Sequence, residues 1–221
     1  MSAQAHDLHC PLCYHFHVTL FWQDKQRCYV RCAQCCLIFV PARYWLDATA
    51  EQAQYDLHIN ADHDQGYRRF LSRVAVPLQA RLAKGSQGLD FGCGPGPVLA
   101  SMLAASGFAM ALYDPYYAPN RQVLSQQYDF VCCTEAIEHF YHPGKEWSLL
   151  LSLLKPGAWL AIMTKLALDK AAFSRWHYKQ DPTHVSFFSR ETFTWLATRD
   201  GLTVEFIGND VIMLQKSEST T

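Results

Sequence analysis

The sequence predicts an α/β protein: a Rossmann-like, mostly parallel sheet with helices on both faces and an antiparallel C-terminal hairpin, preceded by a small zinc ribbon. Three observations predict this fold class. Six of the nine cysteines lie before residue 37. From residue 88 onward, apolar strands alternate with helices, as right-handed crossovers of a parallel sheet require. The last two strands are joined by only three residues, which is too short for a parallel connection.

Composition limits the size and class of the protein. The chain has 221 residues, 50% of them hydrophobic and 18% charged, with a formal net charge of −1. This length allows one full domain plus at most a small accessory module. The apolar content excludes a disordered or low-complexity chain. The near-neutral charge argues against a broad nucleic-acid-binding surface and leaves only a small basic patch open.

We expect a cytoplasmic protein. No apolar run reaches the ~18 residues of a membrane span. Residues 1–7 have neither the basic start nor the apolar middle of a signal peptide. In a reducing compartment, cysteines are metal ligands, catalytic thiols or small buried side chains before disulfides are considered.

Residues 1–46 are predicted to form the zinc ribbon. Two Cys-x-x-Cys knuckles stand 18 residues apart, and each aims two thiolates at one ion. The four ligands are Cys10, Cys13, Cys32 and Cys35. Four thiolates leave no open position, so the zinc is expected to be structural. Replacement of one ligand by Cys28 or Cys36, iron in place of zinc, and a module without metal remain alternatives.

Residues 47–84 are predicted to form a helical linker that packs on the next domain. Apolar residues recur there at the spacing of an amphipathic helix, at Tyr67, Phe70, Leu71, Val74 and Leu78. Asp62 or Asp64 is the expected cap, and Pro77 is expected to kink the helix or end its first segment.

Residues 85–221 are predicted to form the main domain. Strands are expected at 88–91, 108–113, 128–133, 158–164, 203–207 and 211–215. Helices are expected at 97–106, 147–154 and 189–199. Lys155-Pro156-Gly157 is expected to end the second of these helices.

A glycine loop, Asp90 to Gly96, follows the first of these strands and opens a helix. Such a loop lets the backbone approach a ligand in front of the helix N-terminus. Pro97 stands where a dinucleotide fingerprint needs Gly or Ala, which disfavours NAD and FAD. Asp114 ends the second strand 18 residues beyond Gly96, where an acid can accept hydrogen bonds from both ribose hydroxyls. An adenosine moiety without an extra phosphate is therefore indicated.

Four ordered motifs resemble those of class I S-adenosylmethionine-dependent methyltransferases. They are Leu89 to Gly96, Tyr113-Asp114-Pro115, Tyr128 to Phe140, and Leu153 to Ala158. The resemblance covers about residues 85–216 and is specific for cofactor and reaction type but not for substrate.

The resemblance implies S-adenosylmethionine as the cofactor and Asp114 as the residue that holds its ribose. It also implies Asp90, Gly92, Gly94 and Gly96 around the cofactor, and Thr134, Glu135 and His139 near the methyl-transfer pocket. Cys93, within the glycine loop, is a further expected cofactor contact, as are Pro115 and Tyr116 after Asp114. In many family members an acid before the fourth strand binds adenine. Here only 13 residues separate Asp114 from Tyr128, so a third strand is very short or absent. We therefore place Pro115, Tyr116 and Tyr117 beside the adenine ring.

Catalytic candidates follow the carboxyl ends of strands, where open α/β sheets bind ligands. Glu135 and His139 follow the fourth strand, and His177 and His184 lie in a long loop after the fifth. Trp176 and Tyr178 of that loop are further substrate-side candidates, and Glu138 is interpreted as a helix-turn or salt-bridge residue. His139 is a general base if the acceptor must lose a proton. For each of these residues, structural packing is the alternative.

These observations predict methyl transfer to a small-molecule acceptor. A zinc ribbon before such a domain resembles arrangements in ribosomal RNA guanine methyltransferases and in sugar C-methyltransferases. The ribbon has few basic residues, namely Lys25, Arg27, Arg31 and Arg43, which favours the small molecule. An RNA or other macromolecular acceptor and a non-catalytic cofactor-binding protein are the alternatives. No membrane partner is expected, and the sequence makes no prediction of oligomeric state.

Overall fold

Two β-sheets organise the computed structural model, which describes residues 8–57 and 64–218. The smaller sheet contains β1 (Val18–Gln23), β2 (Cys28–Cys32), β3 (Ile38–Phe39) and β8 (Ser186–Phe187). Its strand order is β1-β2-β3-β8, and all neighbours are antiparallel. Because β8 comes from the C-terminal half of the chain, the cysteine-rich segment shares one sheet with the predicted main domain.

The larger sheet matches the predicted fold class. Its strands are β4 (Gln87–Phe91), β5 (Ala109–Tyr113), β6 (Tyr128–Thr134), β7 (Leu154–Met163), β9 (Leu202–Ile207) and β10 (Val211–Lys216). They are ordered β5-β4-β6-β7-β10-β9. The first four are parallel, and β10 is antiparallel to both β7 and β9. The parallel sheet and the C-terminal hairpin are thus confirmed.

Helices cover both faces of this sheet. They are α2 (Gln65–Gln79), α3 (Val98–Ala105), α4 (Pro143–Ser152) and α6 (Arg190–Asp200). The remaining helices of the described residues are α1 (Ala48–Tyr55) and α5 (Lys170–Ser174), of which α5 packs on the smaller sheet. Leu71 of α2 and Leu103 of α3 share one buried cluster. Trp147 of α4 and Phe193 of α6 belong to another. Among the described residues, no helix has the length and apolar character that crossing a membrane requires.

In the part of the predicted linker that the structure describes, residues 47–57 and 64–84, there are two helices, α1 and α2. Asp64 caps α2, since its carboxylate accepts hydrogen bonds from the N–H groups of Gly66 and Tyr67. Asp62, the alternative cap, lies outside the described residues. Pro77 lies inside the helix, two residues before its end at Gln79.

One predicted helix is wrong at both ends. The helix expected at 147–154 begins one turn earlier, at Pro143, and ends at Ser152. Proline suits a first helical turn because its missing N–H has no partner there in any case. Lys155-Pro156-Gly157 does not follow the helix as a terminator but lies within β7, which begins at Leu154.

No strand lies between β5 and β6. The intervening segment contains a short 3-10 helix, Arg121–Ser125, and an isolated bridge between Asp114 and Ala118. The expectation of a very short or absent third strand is therefore confirmed, and β5 forms the edge of the sheet.

The cysteine-rich segment packs closely on α4. The N–H of Gly144 donates to the carbonyl of Pro11 at 3.1 Å. A Cβ at Gly144 would lie 2.7 Å from the carbonyl oxygen of Leu12, so only glycine allows this approach. Leu12 and Trp147 lie in one buried cluster, so the two regions share a core.

Candidate active site

A cavity of about 830 Å³ opens at the carboxyl ends of the parallel strands. Most of the predicted site residues line it: Gly92, Cys93, Gly94, Asp114, Pro115, Tyr116, Thr134, Glu135, His139, His177 and His184. Tyr117 and Tyr178 line it as well, whereas Asp90, Gly96 and Trp176 are outside the lining. This volume is within the usual range for small-molecule sites.

The glycine loop requires glycine at two positions. Gly92 has φ +75°, and a Cβ there would lie 2.6 Å from Cβ of Ala136. Gly94 has φ +62°, and a Cβ there would meet no atom within 4 Å. Both glycines line the cavity, so the backbone beside Gly94 is left bare for a ligand to approach.

Asp114 joins the end of β5 to this loop. Its Oδ2 accepts a hydrogen bond from the N–H of Gly94 at 3.0 Å. Its Oδ1 accepts from the N–H groups of Tyr116 and Tyr117 at 2.9 and 3.1 Å. Oδ2 keeps a second acceptor site, so the fixed carboxylate can still accept a hydrogen bond from a ligand.

Asp90 and Gly96 support the loop from behind. Asp90 is buried, and burial raises the pKa of its carboxyl to about 7, with a hydrogen bond from the Ala100 N–H acting in the opposite direction. The carbonyl of Gly96 accepts from the N–H of Val98 at the start of α3. Neither Asp90 nor Gly96 lines the cavity, so the structure does not place either of them for direct contact with a cofactor there. Cys93 lines the cavity, but burial raises the pKa of its thiol to about 12, so it is not an activated nucleophile.

Helix α1 forms a wall of the cavity that sequence analysis missed. The buried carboxylate of Glu51 accepts hydrogen bonds from the hydroxyls of Tyr55 at 2.8 Å and Tyr116 at 2.6 Å. The hydroxyl of Tyr117 donates to Asp56 at 2.6 Å. The two tyrosines that follow Asp114 therefore tie α1 over the site. The available signal was the i, i+4 spacing of Glu51 and Tyr55 on one helix face.

The segment after β6 brings two unusual groups to the cavity. The hydroxyl of Thr134 is buried without a hydrogen-bond partner. Glu135 has φ +47°, a strained value for a residue other than glycine. Burial, and next the carboxylate of Glu138, raise the pKa of Glu135 to about 9. Glu135 is therefore protonated at neutral pH in this structure.

Glu138 lies in the 3-10 turn Ile137–His139, as the helix-turn interpretation expected. The salt-bridge part of that interpretation is wrong, because its partners are neutral. Its Oε2 accepts from the hydroxyl of Thr164 at 3.0 Å, and its Oε1 accepts a short hydrogen bond from the hydroxyl of Tyr178. Glu138 is almost fully buried, and burying a carboxylate requires hydrogen bonds of this kind.

His139 and His184 meet at the cavity, with ring centroids 4.7 Å apart. Nδ1 of His139 lies 3.3 Å from the carbonyl oxygen of Thr183, and Nδ1 of His184 lies 2.7 Å from that of Tyr178. A carbonyl oxygen only accepts, so in each ring Nδ1 carries the hydrogen and, in the neutral ring, Nε2 carries a lone pair. Burial lowers the pKa of His139 to about 4, so its ring is neutral at pH 7.

His177 and Trp176 differ from these two histidines. His177 is exposed at the cavity rim, with its Nε2 3.2 Å from Nζ of Lys165. Trp176 packs against Phe173 and Phe187 instead of facing the cavity, so its prediction as a substrate-side residue is not supported by the geometry.

Arg27 connects the small sheet to the loop that carries His177 and His184. Its buried guanidinium donates to the carbonyl oxygens of Lys179, Asp181 and Pro182 at 2.5, 2.6 and 3.1 Å. It also donates to the hydroxyl of Tyr29 at 3.0 Å. The planar, multi-donor guanidinium thereby fixes this stretch of loop.

The four predicted zinc ligands converge. The Sγ atoms of Cys10, Cys13, Cys32 and Cys35 all lie within 4.8 Å of one another. Cys10 and Cys35 are 3.5 Å apart at Sγ, and Cys13 and Cys32 are 3.4 Å apart. Four thiolates ~2.3 Å from one zinc would be roughly 3.8 Å apart, so the set fits the ion. The alternative ligands Cys28 and Cys36 are not members of the cluster, and Cys28 Sγ instead contacts Arg43.

Comparison with known proteins identifies a family model and similar folds. A family model described as a methyltransferase domain matches residues 60–206. No curated protein sequence matches the chain.

The solved structures with similar folds include an O-methyltransferase family protein from Burkholderia thailandensis, with a TM-score of 0.54 and 16% identity. That match covers 81% of this chain, which spans 63% of the length of the other. The 1,6-didemethyltoxoflavin-N1-methyltransferase of the same organism has a TM-score of 0.51 and 17% identity, over 89% of this chain and 98% of that chain. A chain from the complex of the Haloferax volcanii Trm112 methyltransferase activator with a putative methyltransferase has a TM-score of 0.50 and 11% identity, over 78% of this chain and 99% of that chain.

Proposed function

Because this chain belongs to the family of S-adenosylmethionine-dependent methyltransferases, we propose that it transfers the methyl group of that cofactor to a small molecule held in the cavity under α1. The observation that carries the proposal is the contact between Asp114 and the glycine loop at 3.0 Å. It joins the acid proposed to bind the ribose to a bare backbone at the edge of a cavity of suitable size.

The residues present fit the cofactor. We place its methionine end against Gly92 and Gly94, its ribose hydroxyls on the carboxylate of Asp114, and its adenine beside Pro115 and Tyr116. The unpartnered hydroxyl of Thr134 and the open space beside Gly94 support this placement, since each lacks a neighbour that a ligand would supply. Asp90 is proposed to act by supporting the loop.

The cofactor's sulfonium supplies an activated methyl group when bound, so the protein's task is to align the acceptor and to exclude water. Helix α1, tied down through Glu51 and Tyr116, closes one side of the cavity. We propose that Glu135, His139 and His184 contact the acceptor, and that His177 and Lys165 lie at its entrance. The lone pair on Nε2 of His139 can accept a hydrogen bond or a proton from the acceptor.

A small molecule is favoured over RNA because the cavity is walled by α1 and by the loop of residues 176–184. The basic residues of the ribbon also have other roles. Arg27 is buried against the loop, and Arg43 contacts Cys28. Arg27 is therefore unavailable to a phosphate outside the protein.

We also propose one structural zinc on Cys10, Cys13, Cys32 and Cys35. The convergence of their Sγ atoms supports this proposal. The ion would hold the ribbon that positions Arg27, and through Arg27 the loop carrying His184.

The experiment that tests the acceptor class uses methyl-labelled S-adenosylmethionine with two fractions, a filtered small-molecule cell extract and total RNA. We expect label to enter a small molecule in the presence of the wild-type chain. Label in RNA would establish the macromolecular alternative. Cofactor binding without transfer to either fraction would indicate a non-catalytic binding protein.

A further inference from the structure

We propose that Glu138, His139 and His184 form a second metal site, which binds one divalent first-row transition-metal ion at the acceptor side of the cavity. It is separate from the four-cysteine site. Its role in catalysis rests on the proposed methyl transfer, whereas its existence does not.

The three side chains converge. One ligand atom from each of Glu138, His139 and His184 lies within 4.8 Å of the others. Ligand atoms ~2.0–2.2 Å from one ion would be roughly 3–3.5 Å apart, so the three side chains would close by up to about 1.5 Å on binding it. Two imidazoles with one carboxylate are a donor set typical of Mn²⁺, Fe²⁺, Co²⁺ and Zn²⁺, and not of Ca²⁺.

The hydrogen bonds of the two rings orient them as ligands. Nδ1 of each histidine donates to a backbone carbonyl, that of Thr183 for His139 and that of Tyr178 for His184. Metal-bound histidines almost always donate their second ring N–H in this way, because the hydrogen bond fixes the tautomer and the ring plane. In the neutral form of each ring, the lone pair available to an ion is therefore on Nε2.

The carboxylate is supported in the same manner. Oε2 of Glu138 accepts from Thr164, and Oε1 accepts from Tyr178. Each oxygen keeps a second lone pair for an ion. Asp181 adds negative charge beside the site, with its Oδ2 3.8 Å from Nε2 of His184. A cation would compensate these buried and half-buried charges.

The backbone also holds the ligands together. The N–H of Val185 donates to the carbonyl of Glu138 at 2.9 Å, joining the turn after β6 to the loop that carries His184. The hydroxyl of Ser186 donates to the carbonyl of Phe140 at 2.8 Å. Arg27 fixes the same loop from the other side. The three ligands are thus preorganised by two segments that already pair with each other.

Three protein ligands leave open coordination positions, as catalytic sites do. Because the cluster lines the same cavity as Asp114 and Gly94, an open position faces the space for the acceptor. The acceptor class that this arrangement suits is a hydroxyl compound. With the Nε2 lone pair of His139 on the ion, that ring would not act as the base; binding of the acceptor oxygen to the ion would lower the hydroxyl pKa, and the proton would leave to water. The oxygen then bonds to the methyl carbon, the carbon–sulfur bond breaks, and its electron pair stays on sulfur as a thioether.

The test uses the full-length, zinc-loaded chain and Mn²⁺ as the probe, because thiolates bind Mn²⁺ weakly and the four-cysteine site then does not interfere. Free Mn²⁺ is measured by its electron paramagnetic resonance signal. We expect one Mn²⁺ per chain, and an affinity lower by about tenfold or more in His184→Gln, His139→Gln and Glu138→Gln. His177→Gln and Glu146→Gln change a histidine and an acid that line the same cavity outside the cluster, and they should keep wild-type Mn²⁺ affinity.

Two results would overturn the inference. One is a folded wild-type chain that binds neither Mn²⁺ nor a second equivalent of Co²⁺ or Zn²⁺. The other is equal loss of Mn²⁺ binding in the cluster variants and the two controls. Circular dichroism verifies the fold of each variant. Because three ligands are changed singly, the test still stands if one of the variants does not fold. Calorimetry with S-adenosylhomocysteine on the same sample separates the two proposals, since cofactor binding without metal binding rejects only the metal site.

Discussion

The carboxylate of Asp114 accepts a hydrogen bond of 3.0 Å from the backbone N–H of Gly94. The acid at the end of β5 and the loop at the end of β4 are thereby held in one fixed geometry. Asp114 can hold a ribose without rearranging, because its orientation is already set by three backbone N–H groups.

Replacing Asp114 should therefore weaken cofactor binding. Asp114→Ala removes a charged hydrogen-bond acceptor, and we expect a loss of ~1.5–3 kcal/mol in the binding of S-adenosylhomocysteine, roughly 10- to 150-fold in affinity. Asp114→Asn preserves the shape and should give a smaller loss. Calorimetry measures both, with Asp129→Asn, which lies outside the cavity lining, as the control. Unchanged affinity in Asp114→Ala would remove this residue from the site.

His139 should matter for turnover more than for cofactor binding. We expect His139→Ala to lower the rate on the true acceptor by ~10²–10⁴-fold, whether the ring moves a proton or holds the acceptor in place. Cofactor affinity should hardly change, and His15→Ala, far along the chain in the ribbon, should leave both quantities unchanged. A loss of cofactor affinity instead would make His139 a structural residue. Methylation that survives changes at His139, His177 and His184 alike would show that none of them is catalytic.

Arg27 should couple the ribbon to the active-site loop. Arg27→Lys keeps the charge but loses the guanidinium N–H groups that donate to the carbonyls of Lys179, Asp181 and Pro182. We expect the free energy of unfolding to fall by ~1–3 kcal/mol. Activity should fall with little change in cofactor affinity, because the loop carries His184 and not Asp114. Urea denaturation and kinetics measure these effects. Arg31→Lys, on strand β2, which directly follows Arg27, serves as the control. An Arg27→Lys chain with wild-type stability and rate would contradict the coupling.

The ribbon should contain one zinc per chain, bound by the four converging cysteines. Metal analysis should find one equivalent in the wild type and none in the double variant Cys13→Ser and Cys35→Ser. The melting temperature of the double variant should fall, because Cys10, Cys32 and Cys35 pack in the same core as Trp147. Cys36→Ser, in the same segment but outside the cluster, should retain its zinc. Zinc that survives the double change would reject this ligand set.

Asp90 should make stability depend on pH. Its folded pKa is raised to about 7 by burial, whereas in the unfolded chain the carboxyl ionises near pH 4. Between these values the folded state binds the extra proton, so the contribution of Asp90 to the free energy of unfolding should fall as the pH rises from about 4 to about 7 and then level off. Denaturation of the Asp90→Asn variant at several pH values should show this fall removed.

Asp129 provides the matched comparison for Asp90. Although burial raises its pKa, hydrogen bonds from Gln87 and Lys155 hold it below the usual range. Asp129 is thus ionised throughout pH 5–8, and Asp129→Asn should shift stability by the same amount at every pH in that range. A wild-type chain whose stability does not decline between pH 5 and pH 7 more than that of Asp90→Asn would contradict the burial argument.

The main sheet and its ligand-binding edge were predictable because they depend on local patterns. Apolar strands end in glycines or an acid, and these residue types mark the ends of β4 and β5. The start of α4 was also predictable, because Pro143 suits a first helical turn. The prediction misplaces that helix because it treats Lys155-Pro156-Gly157 as its end, whereas these residues lie in β7.

The remaining features depend on contacts between distant parts of the chain. β3 and β8 contain two residues each, so neither has a periodicity that a sequence could display, and only tertiary pairing defines them. The wall made by α1 depends on Glu51 meeting Tyr116, 65 positions along the chain. The same holds for His139 and His184, which were each predicted as candidates, while their convergence with Glu138 becomes visible only in the folded protein.

Calorimetric titration of the full-length wild-type chain with S-adenosylhomocysteine tests the central claim most directly. The account predicts saturable binding of one molecule per chain, competition by S-adenosylmethionine, and no binding of NAD, since Pro97 interrupts the dinucleotide fingerprint. Two results would contradict it, provided that circular dichroism shows the chain to be folded. One is the absence of binding heat with both S-adenosylhomocysteine and S-adenosylmethionine, and the other is binding of NAD in their place.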